Sequence, residues 1–286
     1  MLHTSISELT TLRWDLATEV EGLVRHGFRS VSIWRTKLSD LSIDEARETL
    51  ERAGMRVSSL QWAGGFTGGD GRTFRESVDD ALEAIDTAAE VGANILTLHS
   101  GCRGGHTLTH ARRLLSDACD VLAPAALSRG ITLAFKPMHP AAAGGCGFMT
   151  CLQGACEWVE RFDHPALRIA LDLWHFGHDP RLLSLLHGRI PLLAVVQVAD
   201  SLGLPSNDRE RLPPGQGNLP LDALICGLVA RGYTGDFEFE AVGETVESLG
   251  YDHVLRQARL TADAWTRRLR MPAPEPAELA VGSLLQ

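Results

Sequence analysis

Ile131-Thr132-Leu133-Ala134-Phe135-Lys136-Pro137-Met138-His139-Pro140 is the stretch that decides the fold. Five apolar or β-forming residues lead to a lysine, and two prolines with Met138 and His139 between them follow it. The pattern predicts a buried strand that stops where ionisable side chains begin. Such an ending is typical of the C-terminal mouth of a β/α barrel.

Three later segments end in the same way, with polar or ionisable side chains after a buried run. If all four are parallel strands of one barrel, the side chains at their ends share the space where barrel enzymes keep their chemistry. Those side chains are Lys136, Asp172, Gln197 and Glu240. The three later segments are Ile169-Ala170-Leu171-Asp172-Leu173-Trp174-His175, Ala194-Val195-Val196-Gln197-Val198-Ala199-Asp200 and Asp236-Phe237-Glu238-Phe239-Glu240.

Strand and helix patterns alternate along the whole chain, beginning with a predicted strand at residues 9–14 and an amphipathic helix at 16–26. Strict alternation favours a closed (β/α)8 TIM barrel over an open doubly wound sheet. An open sheet would place a glycine-rich phosphate fingerprint after its first strand, and residues 11–15 contain no glycine. We therefore predict a single barrel over residues 1–270 and a Pro-rich C-terminal tail at 271–286.

The composition excludes several classes of protein. A formal net charge of −9 leaves no basic excess to neutralise a phosphate backbone, so nucleic acid is not an expected partner. No apolar run reaches the roughly 18 residues that span a bilayer, and residues 1–4 lack the start of a signal peptide. The six cysteines form no C-x-x-C pair, and we expect them to be reduced. These features predict a cytoplasmic protein with no membrane partner.

The motifs resemble those of the xylose isomerase-like TIM barrel family, also called the sugar phosphate isomerase/epimerase family. The resemblance covers roughly residues 8 to 268, with five motifs in the family's order on the expected elements. Residues 133–140 are similar to L-A-x-E-P-x-H-P, 171–175 to D-x-x-H, 196–200 to H/Q-x-x-D, 214–217 to P-G-E-G, and 232–240 to G-Y-x-G-x-x-x-x-E.

The resemblance implies a divalent-cation site, and this chain departs from it. Family members hold the cation with a glutamate, an aspartate, a histidine or glutamine, and a second glutamate. By position, the last three correspond to Asp172, Gln197 and Glu240, whereas Lys136 replaces the first glutamate. A hard cation needs oxygen ligands and negative charge, so we predict no tightly bound cofactor. Weak binding of Mn, Mg, Co or Zn by the remaining three side chains is the alternative.

Three roles are open for Lys136. Its ammonium can replace the cation and stabilise an oxyanion, or its amine can form a Schiff base with a carbonyl substrate. The third interpretation is a structural ion pair with Asp172 or Glu240 in a protein that has lost catalysis. Glu240 is the predicted general base, because the family uses its two metal-ligating glutamates to move a proton on the carbon beside a carbonyl.

Other residues at predicted strand ends complete the candidate site. His139 and His175 each follow a strand end and are predicted as further catalytic side chains, with a structural role as the alternative. Trp34, Trp62 and His99 are predicted to line the substrate pocket, although aromatic residues more often serve in packing. Arg209 and Arg211 are predicted to clamp a carboxylate or phosphate, and solvated surface charge is the other interpretation.

The predicted function is an isomerase, epimerase or lyase that acts on a small polyoxygenated carbonyl compound. It would remove the proton beside the carbonyl without a tightly bound metal. One alternative is a metal-dependent sugar isomerase or dehydratase with a weakened site. The other is a non-catalytic barrel that binds a metabolite. The expected partner is a small-molecule substrate, and the tail at 271–286 is compatible with contacts in a homo-oligomer.

Overall fold

The computed structural model describes residues 2–270, and its strands close into a barrel. Every strand pairs in parallel with its sequence neighbours, and the first also pairs with the eighth, which confirms the predicted (β/α)8 TIM barrel. The tail predicted at 271–286 lies outside the described residues. The strands are β1 (His3–Ser7), β2 (Ser30–Trp34), β3 (Arg56–Gly64), β4 (Ile95–His99), β5 (Thr132–Phe135), β6 (Leu167–Asp172), β7 (Leu193–Val198) and β8 (Asp236–Phe239).

The helices follow the strands along the chain and form the outer layer. They are α1 (Leu16–Arg25), α2 (Ile43–Arg52), α3 (Phe74–Glu90), α4 (Leu108–Ser128), α5 (Leu152–Phe162), α6 (Leu173–Phe176), α7 (Leu182–Leu185), α8 (Leu221–Ala230), α9 (Glu244–Leu249) and α10 (Tyr251–Arg270). Two of them begin with a capping box, in which Ser42 of α2 and Thr73 of α3 exchange hydrogen bonds with a glutamate three residues later. Within residues 2–270, no helix is both long and apolar enough to cross a membrane.

The first strand was predicted at residues 9–14, and this prediction is wrong. β1 is His3–Ser7, and the chain then folds into successive turns, in which the N–H groups of Thr10, Thr11 and Trp14 each donate to a carbonyl three residues back. The reason is that the interior face of the strand is made of serine. β1 contains one buried aliphatic residue, Ile6, so it lacks the apolar pattern that indicates a strand.

Serine side chains and one glutamate fill the barrel interior between β1, β2, β3 and β8. Oε1 of Glu238 accepts hydrogen bonds from the hydroxyls of Ser58 and Ser59, each at 2.7 Å. Ser5 and Ser32 extend this network by bonding the same two hydroxyls. The register between β2 and β3 shifts here, which brings two consecutive serines inward. Burial raises the pKa of Glu238 to about 7, although both serine hydrogen bonds oppose the shift.

The main hydrophobic core lies between the barrel and its helices. Phe239 of β8 stacks on Trp265 of α10, with 5.7 Å between the ring centroids. Phe135 of β5 contacts the edge of Trp158 of α5 at 5.2 Å. The interior is apolar on the side of β5, β6 and β7, where Ala134, Ala170 and Val195 form a buried cluster. Because outward residues of each strand pack on helices and inward residues fill the barrel, the strands are buried on both faces.

Truncation of a strand residue in this core is expected to cost far more stability than truncation of the same residue type on the surface. Leu133 of β5 is fully buried, whereas Leu127 of α4 is 51% exposed. Leu133→Ala should lower the free energy of unfolding by about 2–5 kcal/mol because it leaves a cavity. Leu127→Ala should change it by about 0.5 kcal/mol or less. Urea unfolding checks both, and equal losses would contradict the core described above.

Candidate active site

The four polar side chains predicted at strand ends meet at the C-terminal mouth of the barrel. Lys136 follows β5, and its backbone N–H continues the ladder to β4 at 2.8 Å. Glu240 follows β8 and continues the ladder to β7 at 2.9 Å. Asp172 ends β6 and lies in register with Gln197 of β7. Each of the four residues is at most 4% exposed, so their polar groups must satisfy one another or a ligand.

Lys136 contacts both carboxylates of the site. Its Nζ lies 2.9 Å from Oδ2 of Asp172 and 3.3 Å from Oε1 of Glu240. The amide of Gln197 donates to the other oxygen of Glu240, at 2.9 Å. Nζ of Lys136, at the position where the resemblance implies a glutamate, therefore lies between the two carboxylates of the site.

A second cation, Arg211, enters the same cluster from the loop between β7 and α8. Its Nη1 lies 2.8 Å from Oδ2 of Asp172 and 3.4 Å from Oε1 of Glu240. The guanidinium also lies over the ring of Trp174, at 4.7 Å from the centroid. We name the four residues Lys136, Asp172, Arg211 and Glu240 the ion cluster. Its two cations and two carboxylates balance.

Sequence reasoning placed Arg211 in a substrate clamp or on the surface, and missed its ion pairs with Asp172 and Glu240. The backbone of Arg211 pairs with Val242, and the neighbouring Leu212 pairs with Asp200. Both pairings fix a loop whose residues have no strand or helix periodicity, so hydrophobic pattern could not place the arginine. The available signal was its position just before the P-G-x-G motif at 214–217.

That motif holds the loop through Asp200. The carboxylate of Asp200 accepts hydrogen bonds from the backbone N–H groups of Ser201, Gly215 and Leu219, at 2.8–3.0 Å. A Cβ at Gly217 would lie 2.3 Å from Oδ1 of Asp200, so only glycine leaves room for this carboxylate. The two ends of the loop are thereby tied to one side chain.

The ion cluster shifts the protonation equilibria around it. Burial alone would raise the pKa of Asp172, but Arg211 and Lys136 hold it well below its usual range. Burial lowers the pKa of His99 well below its usual range, and Lys136 adds to this effect. Burial also lowers the pKa of His175 to about 3, against the attraction of Asp172. Both imidazoles are consequently neutral at neutral pH.

The donor set does not fit the divalent cation that the family resemblance implied. The two carboxylate oxygens that would face the metal, Oδ2 of Asp172 and Oε1 of Glu240, each contact both Lys136 and Arg211. A dication placed about 4 Å from either cation would be repelled by about 8 kcal/mol at an effective dielectric of about 20. Within residues 2–270, no group of three or more His, Cys, Asp or Glu side chains is arranged as a metal site.

A cavity of about 350 Å³ opens above the ion cluster. Trp62 and His99 form one wall, with their rings stacked at 5.1 Å and an interplanar angle of 13°. Trp34 stacks behind Trp62 at 6.4 Å and does not line the cavity, so it supports this wall. The polar lining residues are Gln61, His99, Lys136, His175, Ser206, Asn207, Arg209, Arg211 and Glu240.

The two predicted catalytic histidines occupy different positions. His175 lines the cavity, and two N–H donors face its ring: Nη2 of Arg211 lies 3.2 Å from Nε2, and the backbone N–H of His139 lies 3.3 Å from Nδ1. The side chain of His139 does not line the cavity, and its Nδ1 accepts the backbone N–H of Ala141 in a 3₁₀ turn. Its contact with the site is therefore through its backbone. Catalytic roles for either histidine stay predictions.

The model for xylose isomerase-like TIM barrels matches residues 20–267. The chain belongs to this family. This match confirms the resemblance that the motifs indicated. It covers β2 to β8, whereas β1 precedes the matched residues.

Individual proteins are similar to this chain at low sequence identity. The 3-dehydroshikimate dehydratase of Pseudomonas putida is 25% identical over 240 residues, which is 80% of this chain but 36% of that protein's length. The IolI protein, solved with a zinc atom, is 19% identical with a TM-score of 0.81 over 94% of this chain and 100% of that one. The 3-keto-D-glucoside 4-epimerase of E. coli is 18% identical with a TM-score of 0.74 over 94% and 100%.

Stability should depend on pH through His175. Its pKa is about 3 in the folded protein and about 6.5 in an unfolded chain, so between these values only the unfolded state binds the proton. The free energy of unfolding should therefore fall as pH drops from about 6.5 towards 3, by up to about 1.4 kcal/mol per pH unit for this residue. His175→Gln should reduce that slope in urea unfolding series, and parallel slopes for the two proteins would contradict the assignment.

Restoration of a metal site should require removal of both cations. Lys136→Glu alone leaves Arg211 against the same oxygens, so we expect only weak Mn²⁺ binding. Lys136→Glu combined with Arg211→Gln should bind about one Mn²⁺ per chain. The oxygens of Asp172, Gln197, Glu240 and the new carboxylate at position 136 would then face each other without a cation between them. Elemental analysis after dialysis measures both, with the parent protein as the control. A stoichiometric metal in the parent protein would contradict this prediction.

Proposed function

We propose that this protein is a metal-independent isomerase, epimerase or lyase that acts on a small polyoxygenated carbonyl compound. The observation that supports it is the ion cluster beneath the cavity, where two cations occupy the position at which a family member would hold its metal. Lys136, Arg211 and Glu240 line the cavity, whereas Asp172 lies behind them. Two positive groups and one carboxylate therefore face a bound substrate.

The cations can stabilise the charge that develops on a carbonyl oxygen. When a proton leaves the neighbouring carbon, the C–H electrons form a C–C double bond and the carbonyl π electrons move to oxygen. Nζ of Lys136 and the guanidinium of Arg211 are held by Asp172 before the substrate arrives, so they need no reorganisation during the reaction. Fixed positive charge in a buried site is worth far more than the same charge in water.

Glu240 is the base that removes the proton. Gln197 fixes one of its oxygens, and Lys136 and Arg211 lie 3.3 and 3.4 Å from the other. After the proton is transferred, its delivery to the former carbonyl carbon, as the neighbouring hydroxyl passes its own proton to the enolate oxygen, gives an isomerase. Delivery of a proton to the opposite face of the original carbon gives an epimerase. Glu240 can instead protonate a hydroxyl on the next carbon, so that the C–O bond breaks and water leaves, which gives a lyase.

The relatives support this range of reactions. One is named a dehydratase and one an epimerase of a keto sugar, and both activities are consistent with proton removal beside a carbonyl. Because the chain spans about a third of the dehydratase's length, its substrate and reaction are carried over here only as part of the proposal.

The geometry favours an electrostatic role for Lys136 over a Schiff base. A Schiff base needs the lone pair of a free amine. Nζ instead lies between two carboxylates, at 2.9 and 3.3 Å. An imine nitrogen carries at most one hydrogen, so at least one of these contacts would be lost if a Schiff base formed. A covalent adduct trapped by borohydride in the presence of substrate would contradict this assignment.

Hydrogen exchange tests the mechanism whichever product the reaction gives. Polyhydroxylated ketones, with 3-dehydroshikimate and keto sugars first, are incubated with the protein in D2O and followed by proton NMR. The protein should catalyse exchange beside the carbonyl of at least one of them, with or without EDTA. Glu240→Gln should lower the rate about 10²–10⁴-fold and Lys136→Met about 10²–10³-fold.

Glu90→Gln is the matched control for the glutamate, since Glu90 is exposed at the C-terminal end of α3 and does not line the cavity. It should exchange at the parent rate. Circular dichroism establishes that each variant is folded. Undiminished exchange in folded Lys136→Met would leave the lysine as an ion-pair partner only, and loss of parent exchange in EDTA would favour the metal-dependent alternative.

A further inference from the structure

Arg209 differs from the other cations of the cavity in its pairing. Lys136 and Arg211 each contact Asp172 and Glu240, so their charges are compensated within the ion cluster. Arg209 lines the same cavity and is exposed, and among residues 2–270 it forms no ion pair with a carboxylate. The cavity therefore has one uncompensated positive charge, in a chain whose formal net charge is −9.

The position of Arg209 is built into the loop between β7 and α8. Its guanidinium lies over Gly203, where a Cβ would be 3.1 Å from Cζ and from Nη2. Gly203 is itself held by Ser201, whose hydroxyl donates to its carbonyl oxygen at 2.7 Å. Ser201 is one of the residues tied to the carboxylate of Asp200. The loop thus presents the guanidinium from an anchored backbone rather than from a free surface segment.

We infer that the substrate carries a carboxylate and that Arg209 binds it at the rim of the cavity, an inference that rests on the proposed function. The planar guanidinium offers paired N–H donors that match the two oxygens of a carboxylate. Ser206 and Asn207 line the cavity beside it and add neutral polar groups. One uncompensated charge matches a monoanion. A phosphate dianion would leave an additional negative charge facing Glu240.

The arrangement divides the substrate into two ends. The carboxylate lies against Arg209, while the carbonyl and the carbon that loses its proton lie against the ion cluster. The stacked rings of Trp62 and His99 line the same cavity and offer an aromatic wall to the carbon skeleton of the substrate. The substrate class is accordingly a polyhydroxylated keto acid, and the corresponding neutral keto sugar should bind more weakly because it leaves Arg209 unpaired.

Three aldohexose probes that differ only at the sixth carbon test this inference by isothermal titration calorimetry. They are D-glucuronate, D-glucose and D-glucose 6-phosphate, which present a carboxylate, a hydroxyl and a phosphate. The parent protein should bind glucuronate at least about tenfold more tightly than glucose, as expected for one charge-assisted bidentate pair. Arg209→Gln should bring the two affinities to within about twofold of each other.

Arg103→Gln is the matched control, because Arg103 is exposed in the loop after β4 and does not line this cavity. It should keep the parent preference for glucuronate. The inference is overturned if the parent protein binds glucuronate no better than glucose or not detectably, or if Arg209→Gln retains the preference. Tighter binding of glucose 6-phosphate than of glucuronate, lost in Arg209→Gln, would overturn the carboxylate assignment and favour a phosphate.

The binding test and the exchange test fail independently. If Lys136→Met and Glu240→Gln abolish deuterium exchange while no probe shows a carboxylate preference, the proposed chemistry stands and the substrate class is wrong. If Arg209 confers the preference while Lys136→Met exchanges at the parent rate, the anion site stands and the proposed chemistry is wrong.

Discussion

The carboxylate of Asp172 organises the site, because one of its oxygens lies within 2.9 Å of both Lys136 and Arg211. Two cations that contact the same carboxylate oxygen repel each other. Burial of an ammonium or guanidinium without a compensating negative charge is also strongly unfavourable. The negative charge of Asp172 offsets this repulsion, and Glu240 supplies the second negative charge of the cluster. The aspartate is fully buried, so its role is to hold the groups that face the cavity rather than to meet the substrate.

Sequence reasoning succeeded where side chains repeat with the period of an element. The strands β5 to β7 have apolar outer faces and an apolar inner cluster of Ala134, Ala170 and Val195, so their pattern indicates strands that lead up to polar ends. It failed for β1, whose interior residues Ser5 and Ser7 bond other polar groups of the barrel. A strand that is buried among hydrogen-bond partners has no hydrophobic signature, and its pairing depends on residues far away in the sequence.

Arg211 shows a second limit of sequence reasoning. Its ion pairs depend on a loop conformation that backbone contacts with Val242 and the carboxylate of Asp200 create. Each contact joins residues separated by many positions, so no local pattern reports them. The family match shows the class of barrel, whereas the ionic character of the site follows from the contacts of Lys136 and Arg211 with Asp172.

The polar interior beneath the site has a mechanical consequence. Ser58 and Ser59 of β3 bond Glu238 of β8, and these two strands are not neighbours in the sheet. The bonds therefore link opposite parts of the barrel, at positions that precede Trp62 along β3 and Glu240 just after β8. Hydrogen bonds are directional, so these bonds fix the separation of the aromatic wall and the base. The loops at the mouth of the barrel can then differ in sequence, and so select different substrates, while these hydrogen bonds keep the distance between the aromatic wall and the base constant.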